Sequence, residues 1–145
     1  MSNSLVQCGV NAIGYKKNNI NYIMACAWVT HVDFDKLLIL LGNQSDTGNN
    51  LKEGDIFGVS GLSDDQKDIA LKIGDHHSTK INKVEDIDFE YHEEAILIQN
   101  AKTNLVCRVI KVIHLERIEM DNLIYAEVIL KTKDDSKKFL SMDEF

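Results

Sequence analysis

The chain has 145 residues, 44% of them apolar, and a formal net charge of −7. That length suits one domain, residues 1–145, with one substantial core, and the acidic balance sets long-range electrostatics against nucleic acid or an anionic membrane surface. The longest apolar run, Tyr22 to Val29, is far short of a bilayer span, and "MSNSLVQ" has neither a basic start nor an apolar signal core, so a soluble, cytoplasmic protein is expected.

There is no proline, so turns rely on Asn, Asp and Gly, which tolerate positive φ or bond their own backbone; "KKNNIN" (Lys16 to Asn21) and "EMDN" (Glu119 to Asn122) read as such turns. In chain order the strand candidates are Leu5 to Gly14, Tyr22 to Val32, Lys36 to Gly42, Ile56 to Gly61, Ala95 to Gln99, Leu105 to Leu115 and Leu123 to Thr132, all rich in Val, Ile, Leu and aromatic residues. A helix is signalled by "SDDQKDIALKIG": Ser63 and Gln66 have capping-box spacing, Asp64 and Asp65 suit the positive end of the dipole, and Gly74 ends it. A shorter helical turn around Gly48 to Glu53 is poorly patterned.

In Leu105 to Leu115 the apolar set runs Leu105, Cys107, Val109 and then shifts to Ile110 and Val112, a one-residue slip that predicts a β-bulge. In the last strand Ile124, Ala126, Val128 and Leu130 form one apolar face against Tyr125, Glu127 and Lys131 on the other, the alternation of a half-solvated strand. The polar tail Lys131 to Phe145 either frays or docks through Phe139, Leu140 and Phe145. Seven strands with one or two short helices exclude a doubly wound parallel sheet and predict a mainly β, small antiparallel split β-barrel.

Within "NYIMACAWVT", Asn21 to Thr30, both faces are apolar, which predicts burial on both sides, and the middle residues Ala25, Cys26 and Ala27 are small between the large Met24 and Trp28. Two explanations stand open. The missing volume accommodates barrel taper or a crossing strand, or it lets a flat ligand approach the backbone. The segment "GNQSDTGNN" after Lys36 to Gly42 supplies hydroxyls at Ser45 and Thr47 and amides at Asn43 and Gln44; it reads either as a solvated turn or as a wrap of donors for a phosphate.

Taken in order, these pieces resemble the flavin reductase-like family of FMN-binding split barrels. The resemblance lies in "NYIMACAW", in the Ser/Thr loop "GNQSDT", in "GDIFGVSGLSDDQKDIALKIG" (Gly54 to Gly74), in "HSTKI" (His77 to Ile81) and in "LVCRVIKVIHL" (Leu105 to Leu115), and it spans roughly Asn11 to Leu130. It implies a homodimer with FMN near the subunit interface and NAD(P)H as cosubstrate. Asn21, Met24, Ala25, Cys26, Ala27 and Trp28 would lie along the flavin, Asn43, Ser45 and Thr47 at its phosphate, and Lys80 would reach the phosphate or ribityl chain. Family members often carry two prolines after the flavin strand and a cation in the phosphate loop; here those places read Asp35-Lys36 and Asn43-Gln44. A histidine frequent in the last hairpin is replaced near Asn122.

The function implied is an FMN-binding oxidoreductase that passes a hydride from NAD(P)H to flavin and electrons onward. The alternatives are a flavin-binding electron carrier and a flavin-free dimeric interaction protein. No catalytic side chain is identified, because the cofactor performs the difficult step. Cys8, Cys26 and Cys107 are widely spaced in apolar surroundings and read as reduced, mostly buried packing residues. "DHHS" (Asp75 to Ser78) lacks further ligands at suitable spacing, so no metal is expected, and "EYHEEA" (Glu90 to Ala95) reads as an exposed charged loop.

Overall fold

The computed structural model describes residues 5–42, 50–74, 87–118 and 121–144. Strands β1 (Asn11–Lys17), β2 (Ile20–Cys26), β3 (Val29–Asp33), β4 (Lys36–Gly42) and β5 (Ile56–Gly61) precede helix α1 (Lys67–Gly74). Strands β6 (Phe89–His92), β7 (Ala95–Ile98), β8 (Thr103–Ile113) and β9 (Asp121–Lys133) follow, and a 3-10 turn, Met142–Glu144, ends the described chain. Among the described residues all pairings are antiparallel, in the order β3-β4-β9-β8-β5-β1-β7-β6, with β2 attached to β1 alone; the ends do not meet there, so the barrel is split.

Local chemistry sets most of these elements. Asn18 and Asn19 take φ of 53° and 63°, the left-handed pair that a tight two-residue hairpin demands, and β1 and β2 pair in full register from Lys17↔Ile20 to Asn11↔Cys26. Half of the capping box forms, with the Ser63 N–H donating to Gln66 Oε1 at 3.0 Å; the Ser63 hydroxyl donates to Asp65 instead, and the helix begins at Lys67. The register of β8 against β9 shifts between Val109 and Lys111, where the apolar slip predicts a bulge. A second shift lies opposite Ile129, between Val106↔Leu130 and Cys107↔Val128. It breaks the apolar face expected through Leu130: Ile124 and Ala126 are buried, but Ile129 and Leu130 are exposed.

Other boundaries differ from the expectation. Leu5 to Val10 is apolar but unpaired as strand. Its end is held by the tail instead, Val10 N–H donating to the Leu140 carbonyl at 2.9 Å and Met142 N–H to Cys8 at 2.9 Å. The tail therefore docks, with Leu140 fully buried and Phe139 exposed. Lys102, almost wholly buried, anchors it by donating to the carbonyls of Asp134 at 3.1 Å and Lys137 at 2.7 Å. "EYHEEA" is no loop: Phe89–His92 is a strand, paired with β7 from Phe89↔Ile98 to His92↔Ala95, with Glu93 at φ 53° in the turn.

Two main apolar layers result, beside a small cluster of Ala95, Leu97 and Val106. One fills the barrel, with Ile13, Tyr15, Tyr22, Cys26, Ile39, Phe57, Cys107 and Ile124 among its members. The other lies between β1, β2, β7 and α1 and includes Ala12, Ile23, Ala70, Ile73, Ile96 and Leu140. β2 separates them, Tyr22, Met24 and Cys26 facing the barrel and Ile23 and Ala25 facing the helix, as strand alternation requires. β7 crosses β5 so closely that a Cβ on Gly58 would stand 2.3 Å from the Ile96 carbonyl oxygen.

Candidate functional site

The segment Asn21 to Thr30 is not one strand buried on both faces. β2 stops at Cys26 and β3 starts at Val29. Between them the Val29 N–H turns back to the Ala27 carbonyl at 3.2 Å and the Trp28 carbonyl accepts from Leu40 N–H at 3.0 Å. The chain thus leaves β1 and joins β4, a change of partner that apolar patterning does not encode. Trp28 sits at the bend with 56% of its surface exposed.

The three small residues have different neighbours. Cys26 lies in the barrel core, and its thiol donates to the Leu40 carbonyl at 3.4 Å, so the space spared there is taken by β4. Burial pushes this thiol up to about 11 from an ordinary 9.0, which leaves it protonated and unreactive near neutrality. Ala25 is half-buried against the helix-side layer, where Ile69 also packs. Ala27 is half-buried at the bend. Among the described residues no strand pairs with the side of β2 turned away from β1. Met24 and Ala25 on β2, and Ala27 just beyond it, are only half-buried. Small side chains at Ala25 and Ala27 let a ligand come close to the backbone there, whose N–H and C=O groups are the partners that a planar heterocycle with edge carbonyls and ring nitrogens needs. These two positions fit such a ring.

Asn21, at the far end of β2, has a defined partner. Tyr91 Oη on β6 donates to Asn21 Oδ1 at 2.9 Å, Lys16 Nζ lies 5.3 Å from the Tyr91 ring centroid, and Phe89 meets that ring edge-on at 5.2 Å. Sequence reasoning missed Tyr91 because Glu90, His92, Glu93 and Glu94 mark the stretch as a charged loop. The available signal is the period-two pair Phe89 and Tyr91.

Asn43, Ser45, Thr47 and Lys80 lie outside the described residues, as does the segment "HSTKI". The surroundings of the expected phosphate loop are visible on both sides. Lys17 Nζ donates to the Asn50 carbonyl at 2.9 Å and to Asp55 Oδ2 at 2.8 Å, and the same carboxylate accepts from Lys52 N–H at 2.8 Å. At the other end Asn122 is buried, pairs in register with Leu41, and carries an Oδ1 without a hydrogen-bond partner. Among the described residues no cluster of three or more His, Cys, Asp or Glu side chains assembles; Asp75 to Ser78 falls outside them. Nor does any described helix have the length and apolarity to cross a membrane.

Beyond Trp28 an open groove of about 710 Å³ separates β3 from the ends of β8 and β9, with Val29, Leu37, Leu105 and Val128 along it and His31 and Lys131 among its polar lining. Phe34, at the turn after β3, is almost completely exposed.

A family model described as "Flavin reductase like domain" matches residues 6–139. The chain belongs to that family. Its fold matches that of NADH:FAD oxidoreductase SgcE6 from Streptomyces globisporus, with a TM-score of 0.84 and 21% identity over 94% of this chain and 81% of the other; the same enzyme is known in complex with NAD and FAD fragments. Flavoredoxin from Methanosarcina acetivorans matches at TM-score 0.79 and 19% identity, over 93% of this chain and 74% of that one. An FMN-binding protein from Thermus thermophilus matches at TM-score 0.78 and 15% identity, over 90% and 74%. No curated protein sequence matches the chain. The mainly β split-barrel architecture read from the strand pattern is thus the architecture of this flavin reductase-like protein.

Proposed function

We propose that this protein is an FMN-dependent NAD(P)H oxidoreductase of the flavin reductase type, working as a homodimer. Support comes from the family match over residues 6–139, and the observation that carries the reading is the pair of small, half-buried residues Ala25 at the end of β2 and Ala27 at the bend after it. In this reading the ring lies along Met24 to Trp28, held largely by backbone groups, with Asn21 at one end. Asn43, Ser45 and Thr47 hold the phosphate through hydroxyl, amide and N–H donors, and Lys80 supplies the cation that this loop lacks. FMN, when bound, supplies acceptance of a hydride from NAD(P)H and release of electrons to an acceptor.

The chain's own contribution is binding and exclusion. Backbone N–H groups orient the ring edge, and the apolar barrel behind Met24 keeps water from one side. Cys26 takes no part, since its proton is held by burial and by its contact with Leu40. Trp28, Val32 and Phe34 are exposed; a second copy covering them would bury apolar surface that is otherwise in water.

A second reading, a flavin-binding electron carrier with little nicotinamide activity, is favoured by the likeness to flavoredoxin. NAD(P)H oxidation assayed with added FMN separates the two. Turnover supports the oxidoreductase, and flavin retained without turnover supports the carrier. A protein that retains no flavin removes both, leaving the dimeric interaction protein.

A further inference from the structure

We propose that Tyr91 is a positioning residue for flavin binding, acting through Asn21; this rests on the flavin reading above. A carboxamide has one oxygen that accepts and one nitrogen that donates two hydrogens. Tyr91 Oη donates to the Asn21 oxygen at 2.9 Å, so the orientation of the amide is set: the oxygen is turned to Tyr91 and the NH2 group is turned away from it, with both hydrogens to offer. Asn21 therefore meets the flavin as a donor, and the flavin atom it meets is an acceptor, such as a ring carbonyl oxygen.

Tyr91 is itself held. Phe89 contacts its ring edge-on at 5.2 Å and Lys16, paired in register with Asn21, places its ammonium 5.3 Å from the ring centroid. A Lys⁺ over the ring face restrains the phenol with its hydroxyl directed at Asn21. The β6–β7 hairpin, fixed on β1 through the Lys16 N–H bond to the Glu94 carbonyl at 2.7 Å, thereby carries a side chain to the end of the flavin strand. Fixing one side chain before a ligand arrives removes an ordering cost from binding. The hairpin is a support for the site and not only an edge of the sheet.

The test compares FMN binding to the full chain and to Tyr91→Phe, Asn21→Asp and the double variant. Tyr91→Phe removes one partly exposed hydroxyl, so the fold should persist with an unchanged melting midpoint while FMN dissociation constants rise about three- to tenfold, the range for one neutral hydrogen bond. Asn21→Asp still accepts from Tyr91 but has no N–H to offer, so it should lose more. Adding Tyr91→Phe to it should cost nothing further, because the donor that Tyr91 orients is already gone. The visible band of bound FMN should shift in both single variants, a signature that a purely structural role would not give. If wild-type protein binds FMN and Tyr91→Phe binds it equally with an unshifted band, or if the two losses simply add, the inference is wrong. If wild-type protein does not bind FMN, the flavin reading itself fails.

Discussion

The Cys26 thiol donates to the Leu40 carbonyl at 3.4 Å and so links β2 to β4 across the core of the split barrel. This contact gives one of the small residues in Asn21 to Thr30 a packing explanation, and in the proposed reading it leaves Ala25 and Ala27 as the places where the ring comes close.

Burial of this thiol has a consequence at high pH. Cys26 is pushed up to about 11 and Cys107 to about 12 from an ordinary 9.0, desolvation being the largest cause for both. Above 9.0 the unfolded chain releases these protons while the folded chain keeps them, so the stability they contribute is whole below 9.0 and is lost as pH rises through 11 and 12. Each thiol should contribute a slope of about 1.4 kcal/mol per pH unit in that window. Urea unfolding at about pH 8 and about pH 10, in wild type and in Cys107→Ala, checks this; the variant should lose distinctly less on going to the higher pH.

Ala25 and Ala27 should separate packing from binding. Ala25 packs against the helix-side layer, so Ala25→Phe should destabilise the fold by about 1–3 kcal/mol through overpacking as well as weaken FMN binding. Ala27→Phe at the half-exposed bend should change stability by less than about 0.5 kcal/mol while still weakening FMN binding. Thermal melts beside FMN titrations decide it, and equal FMN affinity in a folded Ala27→Phe would count against the placement of the ring.

Gly58→Ala should be among the most damaging single-methyl additions. The new Cβ would lie 2.3 Å from the Ile96 carbonyl oxygen and 2.9 Å from Leu97, and a backbone atom cannot step aside as a flexible side chain can. A loss of about 3 kcal/mol or more, or failure to accumulate as folded protein, is expected, measured by denaturant unfolding.

Asn122 should be improvable. Its buried Oδ1 has no partner, so Asn122→Leu, similar in volume, should raise stability by about 1 kcal/mol in the absence of flavin. A stabilised variant with weakened FMN affinity would place this oxygen in the site; unchanged affinity would make it a defect of the core alone.

Legibility in the sequence followed the range of the forces involved. Asn18-Asn19, the Ser63/Gln66 capping box and the bulge at Ile110 are local, and residue type and spacing reveal them. The break at Ala27–Trp28 depends on Leu40, and the failure of Leu5 to Val10 to form strand depends on Leu140; both are choices of distant hydrogen-bond partner that periodicity does not carry. β6 was hidden because it is an edge strand whose solvent face holds Glu90 and His92, the same residues that mark a loop. In the site, the small residues of β2 were legible, but whether each gap faced a strand, a helix or solvent was not. The link from Tyr91 to Asn21 was invisible because it spans 70 positions.

The placement of the ring is checked by titrating the purified protein with FMN, followed at once by flavin absorbance and by the emission of Trp28, the single tryptophan of the chain. With the ring seated along Met24 to Trp28, FMN should bind at one per chain, show a shifted visible band, and quench Trp28 in proportion to occupancy. Free FMN passing unchanged through a desalting column, or bound FMN that leaves Trp28 emission untouched, would contradict the site.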